Sequence, residues 1–454
     1  MYVTTTFREK LKLFSFILVP ILITQVSMYL MNFFDTIMSG RVAAIDLAGV
    51  AIGSSLWVPI FTGVNGILLA ITPIIAQLTG AKNTDEVPNR VQQAIYLSVI
   101  LAFIILIIGM FTLNPILNMM DLEAEVRHVA KYYLITLITG IIPLFIFNTL
   151  RCFIDALGKT RISMFIILIS LPINIVFNYI FIFGKLGVPA FGGVGAGIAT
   201  AITYWIVCIL AIIIVIRVSP FKPYRIFANF VKPQVTAWWE QLKIGVPIGL
   251  SIFFETSIFS AVTLLMSVYS TYTIAAHQAA MNFASLLYML PLSIGMALTI
   301  TVAFEVGAKR HHDAKVYSVI GIYSGLIIAI FAGIILYVFD DSVARLYNTN
   351  PEVVALTKQF IYYAIFYQFA DAIGAPIQGV LRAYKDVNVT LITSLVSFWA
   401  VGLPLGYILA NYTALEPFGY WVGIIAGLFS GAIALLSRLL YVQKKVRHVV
   451  EVNK

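Results

Sequence analysis

The stretch GLSIFFETSIFSAVTLLM, from Gly249 to Met266, is apolar apart from a few hydroxyl side chains and one carboxylate, Glu255. The nearest charged residues on either side are Lys243 and Glu305. A helix needs about 20 apolar residues to cross a bilayer, so this stretch is predicted to lie in a membrane span. Its carboxylate then needs an explanation, because a charge at the centre of a bilayer costs about 2.5–3.5 kcal/mol.

The rest of the chain has the same apolar character. Of its 454 residues, 61% are hydrophobic and 11% are charged, whereas about 25% are charged in soluble domains. Apolar and polar residues do not alternate with period two, so an all-α membrane protein is favoured over a β-barrel. The first block is too long for a signal peptide and lacks a cleavage site, so it is predicted to be helix 1. The twelve predicted spans are 14–36, 47–72, 93–114, 131–150, 162–183, 194–216, 244–268, 275–300, 316–338, 354–377, 389–411 and 420–441.

The basic residues are distributed unevenly between the two sides of the predicted membrane. With the amino terminus inside, 23 of the 29 Lys and Arg residues fall in inner segments and 6 fall outside. This bias predicts a multi-pass protein of the cell membrane with both termini in the cytoplasm. The net charge of +9 is therefore interpreted as a topology signal and not as a nucleic-acid surface. Three carboxylates lie within the apolar blocks: Asp35, Glu255 and Asp371.

The two halves of the chain repeat each other at an offset of 227 residues. TPIIAQLTGAK (Thr72–Lys82) aligns without gaps to TITVAFEVGAK (Thr299–Lys309). Six helices in each half, an even number, would give both halves the same orientation, with a central cleft between two bundles related by a pseudo-two-fold axis. We predict an amino-terminal lobe at 1–219, a cytoplasmic linker at 220–243 and a carboxyl-terminal lobe at 244–454.

Two carboxylates of the second half are predicted to lie at the same membrane depth. Glu255 is about 16 Å from the inner end of its span, and Asp371 is similarly deep in helix 10. Their combined charge would attract a cation, either a metal ion or a proton; the alternative is a structural pair of hydrogen-bonded acids. Tyr367 is spaced i, i+4 from Asp371, so its hydroxyl could complete an oxygen shell for Na⁺, or the ring could simply pack.

The first half has a polar set of its own. Asp35 lies toward the outer end of helix 1, Asn174 and Asn178 are spaced i, i+4 in helix 5, and Thr200 lies in helix 6. A carboxylate, two amides and a hydroxyl form a candidate site for a hard cation or a proton. Intramembrane amides can also simply join helices.

The remaining unusual residues receive structural interpretations. Cys152 and Cys208 are expected to be small apolar fillers and not a disulfide, because both fall in or beside predicted helices. His277 is expected to be a buried, hydrogen-bonded histidine. Gly374 and Gly379 are expected to ease bending of helix 10. The chain has no phosphate-binding loop and no catalytic or metal-type spacing, so neither an enzyme nor a cofactor is expected.

Several stretches resemble the multidrug and toxic compound extrusion (MATE) transporter family, in its NorM-like branch, over essentially the whole chain. They are NFFDTIMSGRVAAIDLAGVAIGSSLW (Asn32–Trp57), TPIIAQLTGA (Thr72–Ala81), LRCFIDALGKTR (Leu150–Arg161), Glu255 with its flanks, and YQFADAIGAPIQGVLRAYKD (Tyr367–Asp386).

This resemblance implies twelve helices in two six-helix lobes that enclose a V-shaped cleft. It implies a monomer in membrane lipid that exports cationic, often aromatic drugs in exchange for Na⁺ or H⁺, and the complete carboxyl-lobe set favours Na⁺. Asp155 matches an acidic position near the cytoplasmic face, with a gating or structural role. The resemblance assigns Glu255, Tyr367 and Asp371 to a carboxyl-lobe cation site, with Glu255 and Asp371 as Na⁺ ligands. It assigns an amino-lobe site for a cation, a proton or drug to Asp35, Asn174, Asn178 and Thr200.

Other classes of function fit the sequence less well than drug export does. A transporter of the major facilitator type is disfavoured because the loop TGAKNTDEVPNR (Thr79–Arg90) lacks that family's motif. A flippase for lipid-linked oligosaccharides would need cationic cavity residues for a pyrophosphate, and the buried charges are expected to be all acidic. A membrane enzyme would need a catalytic constellation, and a channel would show single-channel currents.

Overall fold

A computed structural model describes residues 2–120, 122–347 and 349–452. Within these residues the secondary structure is helical. The first half of the chain contains α1 (Phe7–Gly40), α2 (Ala44–Leu68), α3 (Ile71–Gly80), α4 (Val87–Met119), α5 (Ala124–Ile138), α6 (Ile141–Ala156), α7 (Thr160–Phe183) and α8 (Gly193–Arg217). The second half contains α9 (Val235–Leu265), α10 (Thr271–Gly307), α11 (His311–Val338), α12 (Asp340–Tyr347), α13 (Pro351–Ala383), α14 (Asn388–Ser394), α15 (Leu403–Tyr412) and α16 (Pro417–Val452).

The helices account for the predicted membrane spans. Among the described residues, ten helical segments are long and apolar enough to cross a bilayer, and α5 with α6, bent by 53° to each other, adds an eleventh. The helix α13 occupies the position of the remaining predicted span, although Lys358, Asp371 and Arg382 make it more polar. Its start is fixed locally, because the side chain of Asn350 accepts a hydrogen bond from the Glu352 N–H at 3.0 Å.

The chain forms two compact units. The amino unit is Ile23–Val246, and the carboxyl unit combines Met1–Leu22 with Pro247–Lys454. The helices α1 and α9 therefore each contribute one end to one unit and the other end to the other unit. The predicted division into lobes at 1–219 and 244–454, with a linker at 220–243, stays a prediction.

The segment after α8 is tied to α4 of the amino unit by glutamine side chains. Gln92 Nε2 donates to the carbonyl oxygens of Ile226 and Asn229 at 2.6 and 2.7 Å. Gln93 Nε2 donates to the carbonyl oxygen of Lys232 at 2.8 Å. Because these bonds satisfy backbone groups that no helix pairs, they hold an irregular segment in a defined path.

The internal repeat extends to backbone geometry. Lys82 and Lys309, which are 227 residues apart, have left-handed φ angles of 61° and 59° just beyond the ends of α3 and α10. Gly158 and Lys385, at the same offset, have φ angles of 73° and 59° beyond α6 and α13. A left-handed residue commonly ends a helix by capping its last carbonyls. The same helix ends thus recur in both halves.

Two glycines let α10 and α13 of the carboxyl unit approach each other closely. A Cβ atom built on Gly379 would collide with the backbone of Gly295. Gly379 therefore serves close packing of α13, whereas the sequence suggested that it would ease bending. Gly374, on the same helix, has no heavy atom within 4 Å of the position that its Cβ would take.

We expect Gly379→Ala to lower the unfolding free energy of the purified protein by about 1–3 kcal/mol, the usual cost of overpacking. Gly374→Ala is the matched control, because the new methyl group has room and alanine favours a helix over glycine by about 1 kcal/mol. Thermal or denaturant unfolding in detergent measures both. Equal stability of the two variants would contradict the packing role of Gly379.

Candidate functional site

Two membrane-embedded carboxylates of the carboxyl unit lie at one cavity. Glu255 on α9 and Asp371 on α13 are 5% and 2% exposed. Both line a small cavity of about 20 Å³, enough for one water-sized guest. Burial deprives both groups of water, so their charges need compensation from within the protein.

Hydroxyl and amide groups of neighbouring helices complete the polar part of this cavity. The lining includes the side chains of Gln378, Thr393, Ser394 and Ser397. Asp371 Oδ2 is buried and has no hydrogen-bond partner among the described residues. An unpartnered carboxylate oxygen beside a cavity is an acceptor available to a cation or a proton.

Two tyrosines surround the carboxylates in different ways. Tyr288 on α10, which the sequence analysis did not single out, directs its hydroxyl toward Glu255 Oε1 at 3.5 Å. Tyr367 is buried near Asp371, but its ring packs edge-on against Phe259 with centroids 5.7 Å apart, and it is not among the residues that line the cavity. Its proposed role as an oxygen ligand stays a prediction.

A buried arginine stands beside the same site. Arg382 on α13 is 8% exposed and donates from Nη2 to Gln378 Oε1 at 3.2 Å. It lies within electrostatic range of Glu255. Gln378, which lines the cavity, thus connects the guanidinium to the site of the two acids. Arginine remains charged in proteins, so the site holds two acidic groups and one permanent cation.

The expectation that all buried charges are acidic is therefore wrong. Besides Arg382, the structure buries Arg151 in α6 and Lys10 in α1. Arg151 and Arg382 fall outside the predicted spans 131–150 and 354–377, because the apolar blocks end several residues before α6 and α13 do. The i, i+4 spacing of Gln378 and Arg382 on the helix that carries Asp371 was the available signal.

In the amino unit, the structure brings the four predicted polar residues together in a closed ring. Asp35 Oδ1 accepts from Asn178 Nδ2 at 2.6 Å, and Asp35 Oδ2 accepts from the Thr200 hydroxyl at 2.8 Å. Asn174 closes the ring by accepting from Asn178 at 3.1 Å and donating to Thr200 at 3.3 Å. Both oxygens of this carboxylate thus have donors, whereas Oδ2 of Asp371 has none among the described residues.

The other residues singled out by sequence are also buried. Asp155, near the end of α6, lies one helical turn after Arg151. His277 accepts from Trp421 Nε1 at 3.1 Å and pairs with the Thr263 hydroxyl at 3.2 Å, so its prediction as a hydrogen-bonded core residue is confirmed. Cys152 and Cys208 are buried free thiols, as the apolar-filler interpretation predicted.

The donor chemistry suits a hard monovalent cation or a proton better than a transition metal. Among the described residues, no three or more His, Cys, Asp or Glu side chains are grouped so that they could hold a metal ion. The cavity instead offers carboxylate, amide and hydroxyl oxygens, the ligand type that hard cations prefer. These residues could contribute several oxygen ligands to one small ion.

Comparison with known proteins agrees with this architecture. The chain matches the MatE family twice, over residues 20–180 and 247–408, which confirms the internal repeat. The "Probable multidrug resistance protein NorM" of Oceanobacillus iheyensis is 70% identical over 445 residues, covering 98% of this chain and 100% of the relative. The protein of the same name from Halalkalibacterium halodurans is 56% identical over 450 residues, covering 99% and 98%.

Solved structures with the same fold have diverged much further in sequence. The eukaryotic MATE transporter AtDTX14 superimposes with a TM-score of 0.86 at 22% identity, covering 98% of this chain and 99% of that one. A MATE transporter in the straight conformation gives a TM-score of 0.88 at 19% identity, with 97% of each chain covered. The predicted fold, twelve membrane helices in two six-helix bundles, is confirmed. The family match over more than half of the chain and the 70% identity along its length show that this chain belongs to the MatE family of membrane transporters.

Proposed function

We propose that this protein is a multidrug efflux transporter of the cell membrane that exchanges cationic, often aromatic drugs for Na⁺. The names of its relatives support drug export. The observation that carries the ion-coupling step is the pair Glu255 and Asp371 at one cavity, with an unpartnered oxygen on Asp371. In this proposal the protein acts as a monomer with both termini in the cytoplasm.

The charges at the cavity determine how many monovalent cations the site binds. Glu255 and Asp371 contribute two negative charges when ionised, and Arg382 contributes one positive charge, which leaves a net charge of −1. One Na⁺ or one proton therefore neutralises the site. A second monovalent cation would give the buried group a net positive charge, which the low-dielectric surroundings oppose.

Neutralisation couples the ion to the drug. Inward movement of one charge across 100 mV releases about 2.3 kcal/mol. An ion that enters from outside reduces the negative charge of the site, so the attraction of the site for a cationic drug falls and drug release outward is favoured. Linkage requires the reverse effect as well, because ion and drug lower each other's affinity by the same factor.

The ring around Asp35 has a different role in this proposal. Its carboxylate is already satisfied by Asn178 and Thr200, so an incoming cation would have to displace existing hydrogen bonds. Binding of a proton, or of a drug that exchanges hydrogen bonds with the ring, requires less disruption of these hydrogen bonds than binding of a metal ion. We therefore assign the coupling ion to the carboxyl unit and proton or drug binding to the amino unit.

The buried arginines are a feature expected of a flippase for lipid-linked oligosaccharides, because a pyrophosphate needs cationic partners. Arg382, however, lies within electrostatic range of Glu255, and the two carboxylates of the cavity outnumber it, so the net charge there is negative. An anionic lipid headgroup would be repelled there. The charge balance at the cavity thus favours cation exchange over flipping of lipid-linked oligosaccharides.

Efflux from proteoliposomes with imposed ion gradients tests the proposal. We expect an inward Na⁺ gradient to drive export of a fluorescent cationic dye, and a proton gradient of equal size to drive it less. Efflux driven by the proton gradient alone would show that H⁺, and not Na⁺, is the coupling ion. Dye movement that ignores both gradients would refute ion coupling altogether.

A further inference from the structure

A groove on the carboxyl unit shares no lining residue with the cavity of Glu255 and Asp371. It is lined by His311 at the start of α11, Asp386 after α13, and five residues of α16: Arg438, Tyr441, Val442, Lys445 and Val446. Its volume is about 440 Å³, within the range of small-molecule sites. The five α16 residues follow a spacing of three and four, so they share one face of that helix.

The length of α16 places this groove at the level of the lipid headgroups. Its 36 residues extend for about 54 Å, whereas the hydrocarbon core of a bilayer is about 30 Å thick. A span that begins at Pro417 leaves the hydrocarbon after about 20 residues, next to Arg438. In the topology predicted from the charge bias, the residues beyond that point lie on the side that carries most of the lysines and arginines of the chain.

One guanidinium in the groove is held in position by its neighbours. Arg438 donates from Nε and Nη2 to the two carboxylate oxygens of Asp386 at 2.7 and 3.2 Å, and its Cζ lies 5.1 Å from the centroid of the Tyr441 ring. A guanidinium has five N–H donors, so this pairing leaves donors for a second acceptor. A preorganised arginine loses less freedom on binding a phosphate.

The charges around the groove favour an anion. Arg438 and Lys445 carry two positive charges against the single negative charge of Asp386. His311 Nδ1 is buried and has no hydrogen-bond partner among the described residues. The wall between these groups is apolar, formed by Tyr441, Val442 and Val446. Cationic groups above an apolar wall match a phosphate attached to a glycerol backbone and acyl chains.

We propose that this groove binds the phosphate headgroup of an anionic glycerophospholipid. Basic pockets between membrane helices on the cytoplasmic side are suited to such headgroups. The phosphate oxygens accept from Lys445 and the remaining Arg438 donors, and the glycerol region packs against Val442 and Val446. A bound lipid would hold α16 against α11, since both contribute to the groove.

The test compares the purified full chain with two single-residue variants. Lys445→Gln removes a charge from the groove, whereas Lys444→Gln removes the same charge about 100° around the same helix, outside the groove. Thermal unfolding in detergent is titrated with phosphatidylglycerol, phosphatidylcholine and inorganic phosphate. We expect phosphatidylglycerol alone to stabilise the protein, with an affinity about fivefold weaker in Lys445→Gln, the effect of one basic residue near a membrane surface, and unchanged in Lys444→Gln.

Equal weakening in both variants would overturn the proposal, because it would indicate general surface charge. Stabilisation by inorganic phosphate equal to that by phosphatidylglycerol would also overturn it, in favour of a free phosphate. Val446→Trp gives an independent check, because it fills the groove without altering charge. It too is expected to weaken phosphatidylglycerol binding, and full retention of binding would contradict the proposed location.

Discussion

Drug efflux driven by Na⁺ is expected to fall at least about tenfold in the single variant Glu255→Gln. The same fall is expected in the single variant Asp371→Asn. Each variant removes one of the two negative charges at the cavity. In Glu255→Gln, Asp371 and Arg382 remain, so their charges cancel and the site has no net charge. An attraction worth about 1.4 kcal/mol corresponds to a factor of ten in affinity, and a charge this close in a buried site contributes at least that much.

The measurement is dye efflux from cells and from proteoliposomes, with and without Na⁺. Glu352→Gln is the matched control. It replaces a carboxylate by an amide, as Glu255→Gln does, but at an exposed position of the helix that carries Asp371. The control is expected to transport at the rate of the unmodified protein. Normal Na⁺-driven efflux in both cavity variants would remove the carboxyl-unit site from the mechanism.

Removal of the buried guanidinium is expected to act in the opposite direction on ion affinity. Arg382→Gln leaves two uncompensated carboxylates, so Na⁺ should bind more tightly. At an effective dielectric of about 20, one nearby unit charge contributes roughly 1–2 kcal/mol, or about 5- to 30-fold in affinity. Calorimetric titration with Na⁺ at alkaline pH measures this, because a proton then does not compete for the carboxylates.

Arg382→Lys provides the control for this experiment. It keeps the positive charge but loses the planar donor group that reaches Gln378, so its Na⁺ affinity should stay near that of the unmodified protein. Tighter Na⁺ binding in Arg382→Gln should also slow ion release and hence drug turnover. A folded Arg382→Gln protein with unchanged Na⁺ affinity would contradict the charge balance proposed for the cavity.

Much of the amino-unit site could be predicted because its signals are local. Asn174 and Asn178 are one helical turn apart and must share a face of α7. Asp35 and Thr200 are polar residues in otherwise apolar stretches, where burial requires partners. The structure adds the order of the ring, in which Thr200 and Asn178 each satisfy one oxygen of Asp35.

The carboxyl-unit site was only partly predictable, because some of its residues have a local sequence signal and others do not. Glu255 and Asp371 stand out as lone acids in apolar sequence, and their depth follows from counting residues. Arg382 does not stand out, because it follows the apolar block and the hydropathy pattern predicts a loop at that position. Only the packing of α13 against its neighbours continues the helix to Ala383 and buries this charge.

The amino-acid sequence by itself determined the membrane class, the number of spans, the repeat of two halves and the acids that need partners. These follow from hydropathy, charge bias and helical spacing, which are properties of neighbouring residues along the chain. Only the tertiary structure decided that Asp371 keeps a free oxygen while Asp35 does not, that Tyr367 packs against Phe259, and that the Arg382 guanidinium lies within electrostatic range of Glu255. Those outcomes depend on which side chains of different helices meet, and burial and electrostatic compensation arise only from such contacts between segments distant in sequence.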